Sequence, residues 1–234
     1  NINPMSASPF HVKFNLEDYA DILPPIPDDY STIINSNIDD IYEQYWQVPD
    51  FPPIITFEFL QQEVGRIKHG VWILIKGVLM WLPGNYYQFL VYGNANGDPP
   101  QFRLKRLKNI YLKIRVRKNP RFVGTFTVKN RQDGETTIGM SDALWEPTSG
   151  ELNNGMIGIQ SKTRDDAKLP CWFNLKMQWN GYPKFIKDEL YSHFVSGNNI
   201  EEKLEFSEPP DPNDPKDKGK SVIIKYGPST HNAF

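Results

Sequence analysis

The sequence is poor in cysteine, with Cys171 as its single residue of this type. One cysteine cannot build an internal disulfide framework, and it excludes a zinc site made of several thiolates. The chain also lacks an N-x-[ST] acceptor for N-linked glycosylation. These absences favour a reducing compartment over a secreted disulfide scaffold.

Long hydrophobic runs are missing as well. A membrane-spanning helix needs roughly 18 or more consecutive apolar residues. The best window, residues 71–82, is interrupted by Lys76 and Gly77. We therefore expect no membrane span.

The chain has no excess of one charge, because 26 basic and 28 acidic residues give a net charge of -2. Nothing global demands nucleic acid or an acidic membrane as a partner. Basic residues are nevertheless concentrated between 103 and 121. Alternation within an extended strand would place Lys113, Arg115 and Arg117 on one face, with Arg121 following. This basic stripe could contact RNA phosphates, or it could face solvent or a neighbouring subunit.

Motifs for catalysis are absent. Nucleophilic catalysis by Cys171 would need one of the four histidines, which are His11, His69, His193 and His231. The pattern favours a buried structural thiol instead. Ser192 and His193 are adjacent, so their side chains would point apart, and no G-x-S-x-G elbow exists. The sequence predicts that the protein is not an enzyme.

Metal and cofactor motifs are missing too, because the histidines show no metal-ligand spacing and no Gly-rich phosphate loop occurs. Residues 211–220 superficially suggest a calcium loop. Pro215 and Lys216 stand at its fifth and sixth positions, where the loop requires a ligand and a glycine. We expect no metal and no cofactor.

Hydrophobic periodicity predicts one helix and several strands. Residues 54–68 repeat apolar side chains at steps of three and four, with Thr56 as a candidate N-cap. Extended segments are expected at 10–16, 41–48, 71–82, 86–93, 109–117 and 122–129. A hairpin is expected from strands 156–160 and 171–179, joined by the charged loop 161–170, in which Lys162, Arg164, Asp165 and Asp166 would be exposed.

This pattern predicts an all-β fold, an eight-stranded antiparallel jelly-roll sandwich with one or two short helices and extended N- and C-terminal arms. Residues 1–53 would form the N-terminal arm and first strands, and residues 54–195 the jelly-roll core. Residues 196–234 would form an acidic, Pro-rich C-terminal arm. We find no repeat and no second domain.

The order of a helix, a Gly-started apolar strand (FEFLQQEVGRIKHGVWILIKGVLMW) and a strand before a Pro-rich loop (YYQFLVYGNANGDPP) resembles the capsid proteins of picorna-like viruses. The proposed closing hairpin, GMIGIQSKTRDDAKLPCWFNLKMQWNGYPKF, is similar to their last two strands. The resemblance covers roughly residues 54–185. It implies a jelly-roll subunit with arms that lace neighbours together, released from a polyprotein, as an N-terminal Asn1 would fit.

The function implied by this resemblance is structural. The chain would assemble with other capsid subunits, as a homo- and hetero-oligomer, into an icosahedral shell around a positive-strand RNA genome. It would be found in the virion, after assembly in the host cytoplasm, and the resemblance leaves a host receptor unidentified. The alternative is a monomeric β-sandwich of the viral movement or matrix type that binds nucleic acid or lipid through the stripe at 103–121.

Overall fold

The chain combines helices with three small sheets, so the predicted all-β jelly roll is wrong. The computed structural model describes residues 14–29, 32–36, 44–45, 52–75, 77–95, 97–121, 134–149, 152, 154–195 and 202–228. Within these ranges the longest elements are helices of 15 residues, and two strand pairs are parallel. A jelly roll is antiparallel throughout, and it has no helices of this length in its core.

Seven α-helices and eight strands are described. The helices are α1 (Phe57–His69), α2 (Gly84–Tyr92), α3 (Leu104–Lys118), α4 (Glu135–Ser149), α5 (Arg164–Ala167), α6 (Phe173–Gly181) and α7 (Lys184–Leu190). A 3-10 turn lies at Leu16–Tyr19, and a π-helical turn at Lys168–Trp172 joins α5 to α6. The strands are β1 (Ile34–Ser36), β2 (Gln44–Tyr45), β3 (Val71–Ile75), β4 (Val78–Leu82), β5 (Gln101–Phe102), β6 (Asn154–Ser161), β7 (Lys203–Glu208) and β8 (Lys220–Pro228).

The sheets are short and mixed. The first has the order β1-β3-β4, with β1 parallel to β3 and β3 antiparallel to β4. The second has β8 at its centre, parallel to β6 and antiparallel to β7. β2 and β5 form a two-residue antiparallel pair. The two parallel pairs join strands that are distant in the chain, which hairpins cannot do, and each adds a third strand to an antiparallel pair.

The expected helix at 54–68 is confirmed as α1. The Thr56 hydroxyl accepts a hydrogen bond from the Phe59 amide at 3.2 Å and so caps the first turn. The strand at 156–160 is likewise confirmed as β6, but the predicted hairpin is wrong, because β6 pairs in parallel with β8 and not with residues 171–179. The apolar stretch 71–82, expected as a single strand, folds into the β3–β4 hairpin because Gly77 adopts a φ of 78° at its turn.

The segment expected as a strand at 86–93 is helix α2. All seven residues from Tyr86 to Tyr92 are buried, and the polar Gln88 is buried as completely as the others. A helix that is buried all round has no polar face, and it therefore shows no helical periodicity. The alternation of aromatic and other residues in this segment was accidental.

Two further strand predictions are wrong, because both segments are helical. Residues 109–117 belong to α3, and residues 171–179 belong to the π-helical turn and α6. The core side of the latter segment holds Trp172, Leu175 and Trp179, which follow steps of three and four. A helical period was therefore present beside the period of two that predicted a strand.

The N-terminal and C-terminal segments contribute to the folded part. The 3-10 turn packs Tyr19 against Tyr111 of α3, with ring centroids 4.8 Å apart. Strands β7 and β8 lie within 196–234, which the sequence indicated as an arm. The expected strand at 122–129 and residues 10–13, 41–43 and 46–48 lie outside the described residues, and β2 forms the described part of 41–48.

A buried carboxylate joins α1 to α2. Glu63 is 1% exposed, and its oxygens accept hydrogen bonds from the hydroxyls of Tyr87 (2.9 and 3.0 Å) and Tyr92 (2.7 Å). Arg66 donates to the same carboxylate at 2.6 Å. Burial and the nearby Glu63 charge raise the pKa of both tyrosines above the usual value, so they remain neutral donors.

We expect Glu63→Ala to lower the free energy of unfolding by about 3–5 kcal/mol, because the change leaves an arginine and two tyrosine hydroxyls without their acceptor. Tyr92→Phe removes one donor only and should cost about 1–2 kcal/mol. Urea titrations followed by circular dichroism measure both values. Equal, small losses would show that the carboxylate does not hold the two helices.

A second pair of variants tests the close contact of the same helices. A Cβ added at Gly84 would overlap the carbonyl oxygen of Ile67, whereas one added at Gly65 would meet no atom within 4 Å. Gly84→Ala should therefore destabilise the protein by about 1–3 kcal/mol, because the start of α2 would have to move away from Ile67. Gly65→Ala, in the middle of α1, should stabilise it by about 0.5–1 kcal/mol. Thermal unfolding measures the stability of both variants. An unchanged melting temperature of Gly84→Ala would contradict the close packing at this position.

Candidate functional site

A cavity of about 420 Å³ lies where the ends of α1 and α3 meet the start of α2 and one side of α4. We call it the basic pocket. Its lining residues, among those the structure describes, are Ile22, Lys68, His69, Trp81, Pro83, Gly84, Asn85, Ile114, Arg117, Lys118 and Trp145. Four of these are basic and none is acidic. The composition is typical of a site for an anion.

The pocket depends on a close approach of backbones. Gly70 ends α1 with a φ of 80°, and an added Cβ there would overlap the carbonyl oxygen of Leu82 and the indole of Trp81. Gly84 brings the first turn of α2 against Ile67. Both positions exclude a side chain, because glycine alone fits these contacts. The last turn of α1 and the first turn of α2 therefore form one wall.

Two tryptophans complete the walls. The indole nitrogen of Trp145 donates to the carbonyl oxygen of Ile67 at 2.6 Å, which ties α4 to the end of α1. Trp81 is half-buried and stacks on Tyr111, with centroids 6.1 Å apart and planes within 17°. The Tyr111 hydroxyl also donates to the carbonyl oxygen of Trp81. The indole of Trp81 is thus held in a fixed orientation.

The backbone around the pocket adds to its positive potential. The N-terminus of α2 directs amides toward this end of the helix, where the macrodipole is positive. The opposite, negative pole of α1 is compensated, because the carbonyl oxygens of Arg66 and Ile67 accept from Gly70 and Trp145. Lys68 and His69 lie in that last turn. Both are exposed at the pocket, and so is Lys118.

The basic residues singled out from the sequence are dispersed around α3. Lys113 contacts Glu135 at 3.7 Å and Arg117 contacts Glu146 at 2.5 Å, both on α4. Arg115 points elsewhere and forms a bidentate pair with Asp21 at 2.5 and 2.7 Å. Arg121 lies beyond the end of α3 and is exposed. They do not form a stripe, since a helix places successive alternate residues on different sides.

The loop residues expected at an exposed rim are exposed. Lys162, Arg164, Asp165 and Asp166 all lie on the surface, Lys162 in the connection from β6 to α5 and the other three in α5. This connection is more regular than a loop, because Thr163 caps α5 by accepting from the Asp166 amide at 3.0 Å and donating to its carboxylate at 2.7 Å. Arg164 pairs with Glu202 at 2.6 Å. These contacts are structural.

A second cavity of about 270 Å³ adjoins the basic pocket. Lys68 lines both, and α4 contributes Trp145 to the first and Thr148 to the second. The described residues around the second cavity are Lys68, Pro147, Thr148, Leu152, Glu189, Leu190, Tyr191, Ser192, His193, Phe206, Glu208, Lys220 and Val222. Its lining mixes both charges with apolar side chains.

Glu208 bridges two basic residues at the rim of this second cavity. It lies 3.6 Å from Nε2 of His193 and 3.5 Å from Nζ of Lys220, its cross-strand partner. Ser192 and His193 follow each other on the turn after α7. The pairing balances the charge of Glu208, and Glu189 contributes an exposed carboxylate beside it.

A partly buried carboxyl group adjoins the wall of the basic pocket. Asp142 on α4 accepts a hydrogen bond from the Asn85 amide at 2.8 Å, and this contact fixes a side chain of the pocket wall. Desolvation raises the pKa of Asp142 above its usual value, although Lys113, Asn85 and Arg117 oppose the rise. Lys113 and Arg117, whose charges act on Asp142, also form the ion pairs between α3 and α4.

The described residues contain no group of three or more His, Cys, Asp or Glu side chains placed to hold a metal ion. In the suspected calcium loop, Asp211, Asp214 and Asp217 accept hydrogen bonds from backbone amides instead. Cys171 packs at the edge of the core and lines neither cavity. Among the helices of the described ranges, none has the length and apolar character that crossing a membrane requires.

No family model, curated protein or solved structure matches this chain. The likeness to picorna-like capsid proteins therefore gains no support from these comparisons. The jelly roll on which that likeness depended is not the fold of the described residues. Assembly into an icosahedral shell stays a prediction without a structural basis.

Sequence reasoning missed most of the basic pocket. It included Arg117 in the stripe, but Lys68, His69 and the two tryptophans come from segments far apart in the chain. Basic residues in the last turns of α1 and α3 were the available signal, and such residues commonly complement the helix dipole. Only the packing of four elements brings them together.

Asp142→Asn should change how stability depends on pH. A raised folded-state pKa means that the stability contributed by protonated Asp142 is full below its unfolded value, 3.8, and is lost as the pH rises through the folded value. We therefore expect the variant, relative to the native protein, to be more stable at pH 7 than at pH 3. Urea titrations at several pH values measure this difference, and a pH-independent difference would contradict it.

Proposed function

We propose that the protein binds a phosphate-bearing ligand in the basic pocket, with a nucleotide as the chemical class. The observation that carries this proposal is a concave site with Lys68, His69 and Lys118 at its rim and no acidic residue in its described lining. The volume of about 420 Å³ falls within the range usual for small-molecule sites. Phosphate is recognised by such lysines and by helix N-terminal amides.

The aromatic wall favours a nucleotide over inorganic phosphate. Trp81 presents a half-buried indole held by Tyr111, and a nucleobase can stack or pack against such a surface. Lys118 extends from the end of α3, where its ammonium also lies 3.4 Å from the carbonyl oxygen of Ile22. In this arrangement the phosphate contacts the lysines while the base contacts the indole.

This proposal keeps the nucleic-acid alternative drawn from the sequence but changes the residues. Lys113, Arg115 and Arg117 are engaged with Glu135, Asp21 and Glu146, so their charges are compensated within the chain. The residues at the pocket rim, and not the centre of the former stripe, supply its positive character.

Calorimetric titration with adenosine 5′-monophosphate tests the proposal. We expect binding by the native protein and no binding of adenosine, because adenosine lacks the charged group. Lys118→Ala should weaken binding roughly tenfold, the size of one lost hydrogen bond to a charged group.

Lys216→Ala is the matched control. It removes the same charge from an exposed position that lines neither cavity, and it should leave the affinity unchanged. Equal effects of the two variants would show a general charge effect. Equal binding of adenosine and its monophosphate would overturn the role of the phosphate.

A further inference from the structure

We propose that the basic pocket and the second cavity form one track for single-stranded nucleic acid, in which the second cavity receives a neighbouring nucleobase. This inference rests on the proposed function and extends it from a nucleotide to a polymer. Lys68 lines both cavities and lies between them. A ligand that places a phosphate at Lys68 can therefore extend into either side.

The geometry of α4 supports the continuity of the two cavities. Trp145 borders the basic pocket, and Thr148, three residues further along the same helix, borders the second cavity. Residues three apart on a helix are neighbours on its surface. The two cavities are therefore near neighbours on the surface.

The second cavity suits a base more than a phosphate. Apart from the shared Lys68, the lysine of this cavity is Lys220, which pairs with Glu208, and Glu189 adds a further carboxylate that disfavours a second phosphate. Its apolar lining includes Leu190, Phe206 and Val222. A volume of about 270 Å³ accommodates a planar base.

The carboxylates of this cavity give the base a chemical preference. Glu208 is held by His193 and Lys220, whereas Glu189 at the end of α7 is exposed at the cavity. A carboxylate accepts hydrogen bonds, and it therefore favours a base with an exocyclic amino group, such as the N4 amino group of cytosine. Thymine presents a carbonyl oxygen at the corresponding position and would be disfavoured.

A single strand fits this surface better than a duplex. Bases must leave the stack to enter concave sites, and single strands permit this without loss of base pairs. A duplex would instead need a regular array of basic side chains for its two backbones. The α3 residues that could supply one are paired within the chain, Lys113 and Arg117 with carboxylates of α4 and Arg115 with Asp21.

A lipid surface fits less well. The exposed apolar residues Ile54 and Phe57 lie at the start of α1, while Lys68 and His69 lie at its end. A helix of this length separates the two groups by about 18 Å. Membrane binding needs apolar and basic groups along the same face.

Fluorescence anisotropy with labelled oligodeoxycytidylates of one to about six nucleotides tests the track. We expect the hexamer to bind roughly tenfold more tightly than the monomer, because a second base becomes bound. Thymidylate hexamers should bind roughly tenfold more weakly than cytidylate hexamers. Glu189→Gln should remove most of this base preference, whereas the control Lys216→Ala should retain it.

Amide hydrogen exchange gives a second readout. The hexamer, but not the monomer, should protect residues 189–193 at the end of α7, in addition to the basic pocket. Lys118→Ala should weaken both ligands, and Lys216→Ala should affect neither. Each result reports a different part of the track.

Several outcomes would overturn the inference. Equal affinity for monomer and hexamer, with nucleotide binding intact, would reject the second cavity and leave the proposed function standing. Tighter binding of a duplex than of either of its separated strands would reject the single-strand class. An unchanged base preference in Glu189→Gln would show that this carboxylate does not select the base. Absence of binding by any nucleotide or oligonucleotide would overturn both proposals.

Discussion

The contact between α1 and α2 is the constraint on which the described structure depends most. A carboxylate without hydrogen bonds is costly to bury, and Glu63 is buried with three donors from Arg66, Tyr87 and Tyr92. This arrangement fixes both the rotation and the register of the two helices. At their junction, Gly84 has no room for a Cβ against Ile67. The position of one helix end therefore determines that of the other.

The basic pocket follows from this junction. The last turn of α1 carries Lys68 and His69, and the first turn of α2 supplies a positive helix end beside them. The indole nitrogen of Trp145 donates a hydrogen bond to the carbonyl oxygen of Ile67 and so holds α4 at the same junction. The groups that compensate helix ends here also create a positive field, which is the basis of the proposed anion site.

Local signals in the sequence were reliable where a helix or strand has one buried face and one exposed face. α1 is amphipathic and begins with a capping threonine, so its position could be predicted. β6 is a half-exposed edge strand with turn residues around it. α2 defeats the same reasoning, since Gln88 is as deeply buried as its apolar neighbours. In α3, the alternating basic residues are distributed to different partners and suggested a strand that does not exist.

The sequence by itself determined the absence of a disulfide framework, the amphipathic α1 and the concentration of basic residues between 103 and 121. Tertiary structure decided which of those residues are compensated and which remain at a cavity. Asp21, Glu135 and Glu146 come from elements distant in sequence, as do Lys68 and Trp81. Charge patterns along a chain carry no information about such partners, because contacts between side chains depend on distances that only packing sets.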